Sequence, residues 1–94
     1  MNEGGTAFIL TDKRHAVFYT GSTSDLPGCI MQHRNPAFPH SFTVKFKVFK
    51  LVYYQSFPTL AEAVYREKQL KRYSSIRRFA VIQEMNPGWV NLLK

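Results

Sequence analysis

The chain has 94 residues, 45% hydrophobic and 15% aromatic, with 13 Lys and Arg against 6 Asp and Glu for a formal charge of +7. That mixture excludes a disordered chain and suffices for one domain, residues 1–94, with a core of its own. A lone cysteine, Cys29, excludes an internal disulfide framework, no apolar run nears the roughly 20 residues that span a bilayer, and the cation excess favours a polyanionic partner.

Ala7 to Thr11 and Ala16 to Thr20 are short β-prone runs parted by Asp12-Lys13-Arg14-His15, a hairpin pattern. Ser22-Thr23-Ser24 offers N-caps for a helix from about Asp25 to His33 or Arg34, a weak one because Pro27-Gly28 interrupts its opening turn. A loop with Pro36, Phe38, Pro39 and Phe42 follows, read as packed because its aromatics gain little from remaining in water. Val44 to Phe57 alternates as a strand, with its core at Val48 to Tyr54, Leu51 and Tyr53 on one face and Val52 and Tyr54 on the other. Thr59-Leu60-Ala61-Glu62 matches a capping box and opens a long helix to about Tyr73. Ser74 or Ser75 caps a third helix, which Asn86-Pro87-Gly88 stops, and Trp89 and Leu92-Leu93 are apolar enough to fasten the tail to the core. The order β-β-α-β-α-α predicts an α+β fold, a small three-stranded antiparallel sheet flanked by helices, with no Gly-rich phosphate loop.

One residue breaks the pattern of the long helix. Leu60, Ala63, Val64 and Leu70 form its apolar stripe, and Glu67 lies on that stripe. A buried carboxylate needs a cation, a base or a metal beside it. The pattern alone leaves two partners open, Lys71 one turn on or a divalent ion.

Phe8-Ile9-Leu10, Phe18-Tyr19-Thr20-Gly21, Ser24-Asp25-Leu26 with Ile30-Met31-Gln32-His33, Lys50 to Tyr54, Arg66-Glu67-Lys68-Gln69-Leu70-Lys71 and Glu84 to Trp89 occur in that order. Together they resemble the GIY-YIG nuclease superfamily, in its short single-domain bacterial branch. The resemblance implies hydrolysis of DNA phosphodiesters with one divalent metal, Mg²⁺ or Mn²⁺, held by Glu67. It further implies that Tyr19 orients or deprotonates the attacking water, that His33 contacts phosphate or moves a proton, and that Lys71, Arg34 and Asn86 meet nucleic acid. Tyr19 lies on the hairpin strand, which is expected to face the long helix.

Two positions depart from the family pattern. Phe8 stands where the first motif has a tyrosine, and Cys29 where the first helix carries an arginine for the scissile phosphate. Losing such a cation typically costs a factor on the order of 10²–10³, so weakened or lost cleavage is expected unless Arg14 or Arg34 substitutes. A Cys29–His33 pair at helical spacing is a third possibility, with a thiol activated by the helix N-terminus. The alternative to a nuclease is a non-catalytic nucleic-acid-binding or protein-interaction module. Met1 to Gly5 have neither the basic start nor the apolar stretch of a secretory leader, so a cytoplasmic location is expected.

Overall fold

The computed structural model describes residues 4–34 and 47–92, without the side chains of Ile30, Gln32, His33 and Arg34. The elements are β1 (Gly5–Thr11), β2 (Phe18–Thr23), α1 (Leu26–Arg34), β3 (Lys50–Phe57), α2 (Leu60–Arg72) and α3 (Ser75–Met85), the expected order. The strands form one antiparallel sheet, β2-β1-β3. The expected packed loop after Asn35 and the strand residues from Val44 to Phe46 lie outside the described residues, as does Leu93.

The hairpin is held by Asp12, whose Oδ1 accepts the N–H groups of Ala16 at 2.7 Å and Val17 at 3.1 Å. The Val17 amide leads the interactions that keep this carboxyl below its usual range, outweighing the opposing desolvation. His15 closes the turn at φ 60°, a left-handed conformation in which histidine is found more often than most residues.

Alternation along β1 divides the core between the faces of the sheet. Ala7 and Ile9 pack with Leu70 of α2, Ile82 of α3 and Trp89. Phe8 and Leu10 pack on the other face with Val48 and Leu51, against Leu26 and Cys29 of α1. The sheet thus has α1 on one side and α2 with α3 on the other.

β3 does not keep the simple alternation expected of it. Ile9 pairs with Tyr53 but Leu10 with Leu51, so Val52 is an extra residue in a bulge. Val52 and Tyr53 consequently enter the same core, while Leu51 goes to the opposite face. The C-terminal segment reads this irregularity. Asn86 Nδ2 donates to the Val52 carbonyl at 3.3 Å, Asn91 Oδ1 accepts Leu51 N–H at 3.2 Å, and Leu92 N–H reaches Leu51 O at 2.8 Å. These bonds cover an edge that would otherwise offer unpaired backbone groups. Trp89 fastens the same segment, buried between the rings of His15 at 4.6 Å and Phe79 at 4.7 Å.

The helix starts follow local chemistry. The capping box forms, with Thr59 Oγ1 accepting Glu62 N–H at 3.2 Å and Glu62 Oε1 accepting Thr59 N–H at 3.3 Å. Ser74 caps α3 by accepting Arg77 N–H at 3.1 Å. α1 is capped by Asp25, whose Oδ1 accepts Gly28 N–H at 3.3 Å, while Ser22 and Thr23 belong to β2 instead of the cap. Gly5 lets α2 cross β1 closely: a Cβ there would lie 2.7 Å from Leu60 Cα. That approach sets the height of Glu67, two turns further along α2. Among the described residues no helix is long and apolar enough to cross a membrane.

Candidate functional site

Glu67 projects from α2 toward β2. Its Oε1 accepts a 2.5 Å hydrogen bond from Ser22 Oγ, and its Oε2 lies 2.7 Å from Lys71 Nζ. The side chain is 18% exposed, whereas that of Lys71 is 56% exposed. Burial alone would raise the carboxyl pKa. Hydrogen bonds from Lys71 and Ser22 and the charges of Lys71 and Lys68 outweigh it, so Glu67 is held below its ordinary value and is ionised at neutral pH. The carboxylate on the apolar stripe therefore has both a cation and a hydroxyl, and of the two partners the helix pattern left open the pair with Lys71 is present.

β2 faces α2 as expected, though not through the Tyr19 ring. Phe18, Thr20 and Ser22 take the face toward α2, and the Tyr19 ring packs on the α1 side, 6.1 Å from the Phe8 ring. Gly21 makes the room, since a Cβ there would sit 2.9 Å from Phe8 Cζ and 3.0 Å from Tyr19 Cε2. Burial is the main reason the phenol pKa rises. Cys29 and Glu67 push it up further and Lys71 only partly opposes them. Cys29, Glu67 and Lys71 thus each lie within electrostatic reach of Tyr19 around the outer strand, with Tyr19 a neutral phenol at physiological pH.

The two departures are both filled by packing. Phe8 is 1% exposed, and Cys29 is half-buried against the same cluster. The Cys29 thiol is raised by burial and by the Asp25 charge, despite a hydrogen bond with Thr23, so the helix start does not activate it. This removes the basis for a thiolate nucleophile.

The model of the GIY-YIG catalytic domain matches residues 5–78. The chain belongs to the GIY-YIG family. It is also similar to the solution NMR structure of a UPF0213 protein from Bacillus halodurans, at 25% identity and a TM-score of 0.59, over 97% of this chain and 95% of that one. The comparison with curated proteins gives no match. GIY-YIG nucleases act on nucleic acid and use divalent metals.

The other residues that the GIY-YIG pattern points to are distributed unevenly. His33 and Arg34 fall in the last turn of α1, with side chains outside the described residues. Asn86 is not at a nucleic-acid surface. It is 4% exposed, and its amide is consumed by Val52 O, Val90 O at 2.8 Å and Val90 N–H at 3.2 Å. Arg14 lines a different hollow of about 740 Å³, with Lys13, Lys47, Lys50 and Phe49, at the hairpin end of β1 and β3. Arg66 is tied into the fold by Tyr53, Gln69 and Tyr73.

Two residues of the site escape sequence reading. Ser22 looks like a helix cap until β2 is seen to run through Thr23, and then its two-residue spacing from Phe18 and Thr20 puts it under α2. Arg78 lies in a basic doublet that carries no positional signal, yet it lines a hollow of about 360 Å³ with Phe18, Tyr19, Thr20 and Lys71.

The donor set at Glu67 suits a hard cation. A carboxylate and a hydroxyl oxygen are adjacent, and no cluster of three His, Cys, Asp or Glu occurs among the described residues, which disfavours a zinc-like cage. One carboxylate suffices for Mg²⁺ when water and phosphate oxygens complete its shell. The exposed Lys71 can turn away from Oε2 to admit it.

Proposed function

We propose that this protein binds DNA and a single divalent cation, Mg²⁺ or Mn²⁺, through Glu67, and hydrolyses phosphodiesters at a rate below that of a GIY-YIG enzyme with the full catalytic set. The observation that carries this reading is the Glu67 carboxylate, held against Ser22 across β2 from the Tyr19 ring in a strongly cationic chain.

Glu67 and the Ser22 hydroxyl would hold the cation, which supplies Lewis-acid stabilisation of charge on phosphate and leaving oxygens. Tyr19 acts as a neutral hydrogen-bonding group that orients water. Its raised pKa leaves it a poor base near neutral pH. Lys71, released from Glu67, offers an ammonium to phosphate. Phe8 and Cys29 leave the two family positions on the α1 side without a phenol hydroxyl and a guanidinium to share these roles. That shortage is the reason for expecting slow turnover, and it is what favours the alternative of a non-catalytic module that retains DNA binding.

The test is incubation of the purified protein with duplex, flapped and branched DNA in Mg²⁺ or Mn²⁺, beside Glu67→Gln. Slow metal-dependent nicking that disappears in the variant supports the proposal. Fast cleavage abolished by Glu67→Gln would overturn the claim of attenuation. Binding without any cleavage supports the non-catalytic alternative, and absence of DNA binding at low salt rejects the reading altogether.

A further inference from the structure

Arg78 has an unmet requirement. It sits in the first turn of α3, and its Nη2 donates to Tyr73 O at 3.2 Å. Its Nε is buried with no hydrogen-bond partner. A guanidinium donor shielded from water and left without an acceptor is costly, so such a group ordinarily has a partner in the functional state. Neighbouring arginines do not share this condition. Arg66 is bonded to Tyr53, Gln69 and Tyr73, and Arg77 stacks on the Tyr73 ring at 4.4 Å.

The side chain also lines the hollow formed with Phe18, Tyr19, Thr20 and Lys71. Two cations thus meet in one depression at the outer strand, and one of them, Lys71, is the ion-pair partner of Glu67. A tetrahedral oxyanion would give Arg78 Nε its acceptor, and the guanidinium fork matches phosphate oxygens geometrically. Lys71, more than half exposed, adds a point charge to the same hollow.

We propose that Arg78 and Lys71 form a phosphate-binding subsite on the α2–α3 side of β2, which holds a phosphate of the DNA backbone. This deepens the nuclease reading and rests on it. The subsite lies across β2 from Cys29, so it anchors the strand without restoring the missing arginine to its own position.

The primary test measures DNA affinity in EDTA by fluorescence anisotropy over a salt series, for the full chain and for Arg78→Gln, with Arg72→Gln as an exposed single-charge control. Loss of a desolvated charged hydrogen bond predicts at least about tenfold weaker binding. The slope of log K against log salt should fall by about 0.9, as expected for one neutralised phosphate. Arg72→Gln should change both less. If Arg78→Gln leaves affinity and slope unchanged while the wild type binds DNA, the subsite is refuted and the nuclease reading stands. Because Arg78 also bonds Tyr73 O, a second measurement uses the wild-type protein alone. Titration with inorganic phosphate, followed by the Arg78 Nε–H NMR resonance, should give a saturable shift. A resonance that stays put overturns the subsite, whereas failure of the nuclease reading appears separately as absence of metal-dependent cleavage.

Discussion

At the scale of single residues, Glu67 has a structural role beside the metal-binding one proposed for it. It is a structural acceptor for Ser22 and Lys71, and it is the carboxylate at the position the family pattern gives to the metal ligand. Because its pKa is lowered on folding, it contributes stability above the unfolded carboxylate pKa, and that contribution is lost as pH falls through the folded value. Glu67→Gln is therefore expected to flatten the loss of thermal stability between about pH 5 and pH 3, seen by calorimetry against wild type. The same substitution should abolish metal-dependent cleavage, so the two effects can be separated by assaying turnover near pH 7. Cys29→Arg tests the other side of the site. The half-buried position can pass a long stem along apolar surface to an exposed head. Restoring a guanidinium to the family position should raise the cleavage rate at least about tenfold, in the direction set by losses from removing such groups. An unchanged rate would show that the missing arginine is not what limits turnover.

At the scale of elements, the C-terminal tail and β3 depend on each other. The bulge leaves the Val52 carbonyl to be satisfied by Asn86, and the edge at Leu51 is closed by Asn91 and Leu92. Asn86→Ala should destabilise the fold by about 1–3 kcal/mol in urea unfolding, because it strands buried backbone groups rather than merely deleting one bond. DNA affinity at fixed salt should remain near wild type below the transition. His15 adds pH sensitivity to this tail. Its pKa is lowered by burial and then by Lys50, whose Nζ lies 2.9 Å from Nε2, and Asp12 only partly offsets them. Its contribution is present above the unfolded pKa and lost as pH falls through the folded value, so acidification from pH 7 toward 5 should loosen the Trp89 packing, read by tryptophan fluorescence. These features also mark the limits of sequence reading. The capping box, the hairpin and the Glu67 stripe are local patterns and are legible as such. The bulge at Val52 is not, because a strand's alternation assumes a regular partner. Asn86 matches a family motif, but its amide is taken up by the turn at Val90 and by the tertiary bond to Val52. Ser22 is hidden because serine before a helix reads as a cap, and the face that Tyr19 takes is hidden because alternation along β2 does not say which of its sides α2 covers.

At the scale of the whole molecule, six cations among the described residues gather at two hollows. Lys13, Arg14, Lys47 and Lys50 border the larger hollow, while Lys71 and Arg78 line the smaller one. Among the described residues that line the larger hollow the one carboxylate, Asp12, is occupied by backbone amides of the hairpin. In the sheet, Tyr19 pairs with Leu10, and Lys50 pairs with the next residue, Thr11, so the two hollows flank the same end of β1. Two strand spacings separate β2 from β3, about 10 Å, a length over which duplex DNA presents roughly six phosphates along its axis. A duplex lying across this end can therefore meet both hollows at once. Replacing Lys13 and Arg14 together with Gln should lower the magnitude of the salt slope of DNA binding by nearly 2, at about 0.9 for each phosphate no longer neutralised. It should leave the Glu67-dependent metal response intact, measured as Mg²⁺-induced NMR shifts of residues around Ser22. A salt slope unchanged by the double substitution would confine DNA to the hollow beside Tyr19.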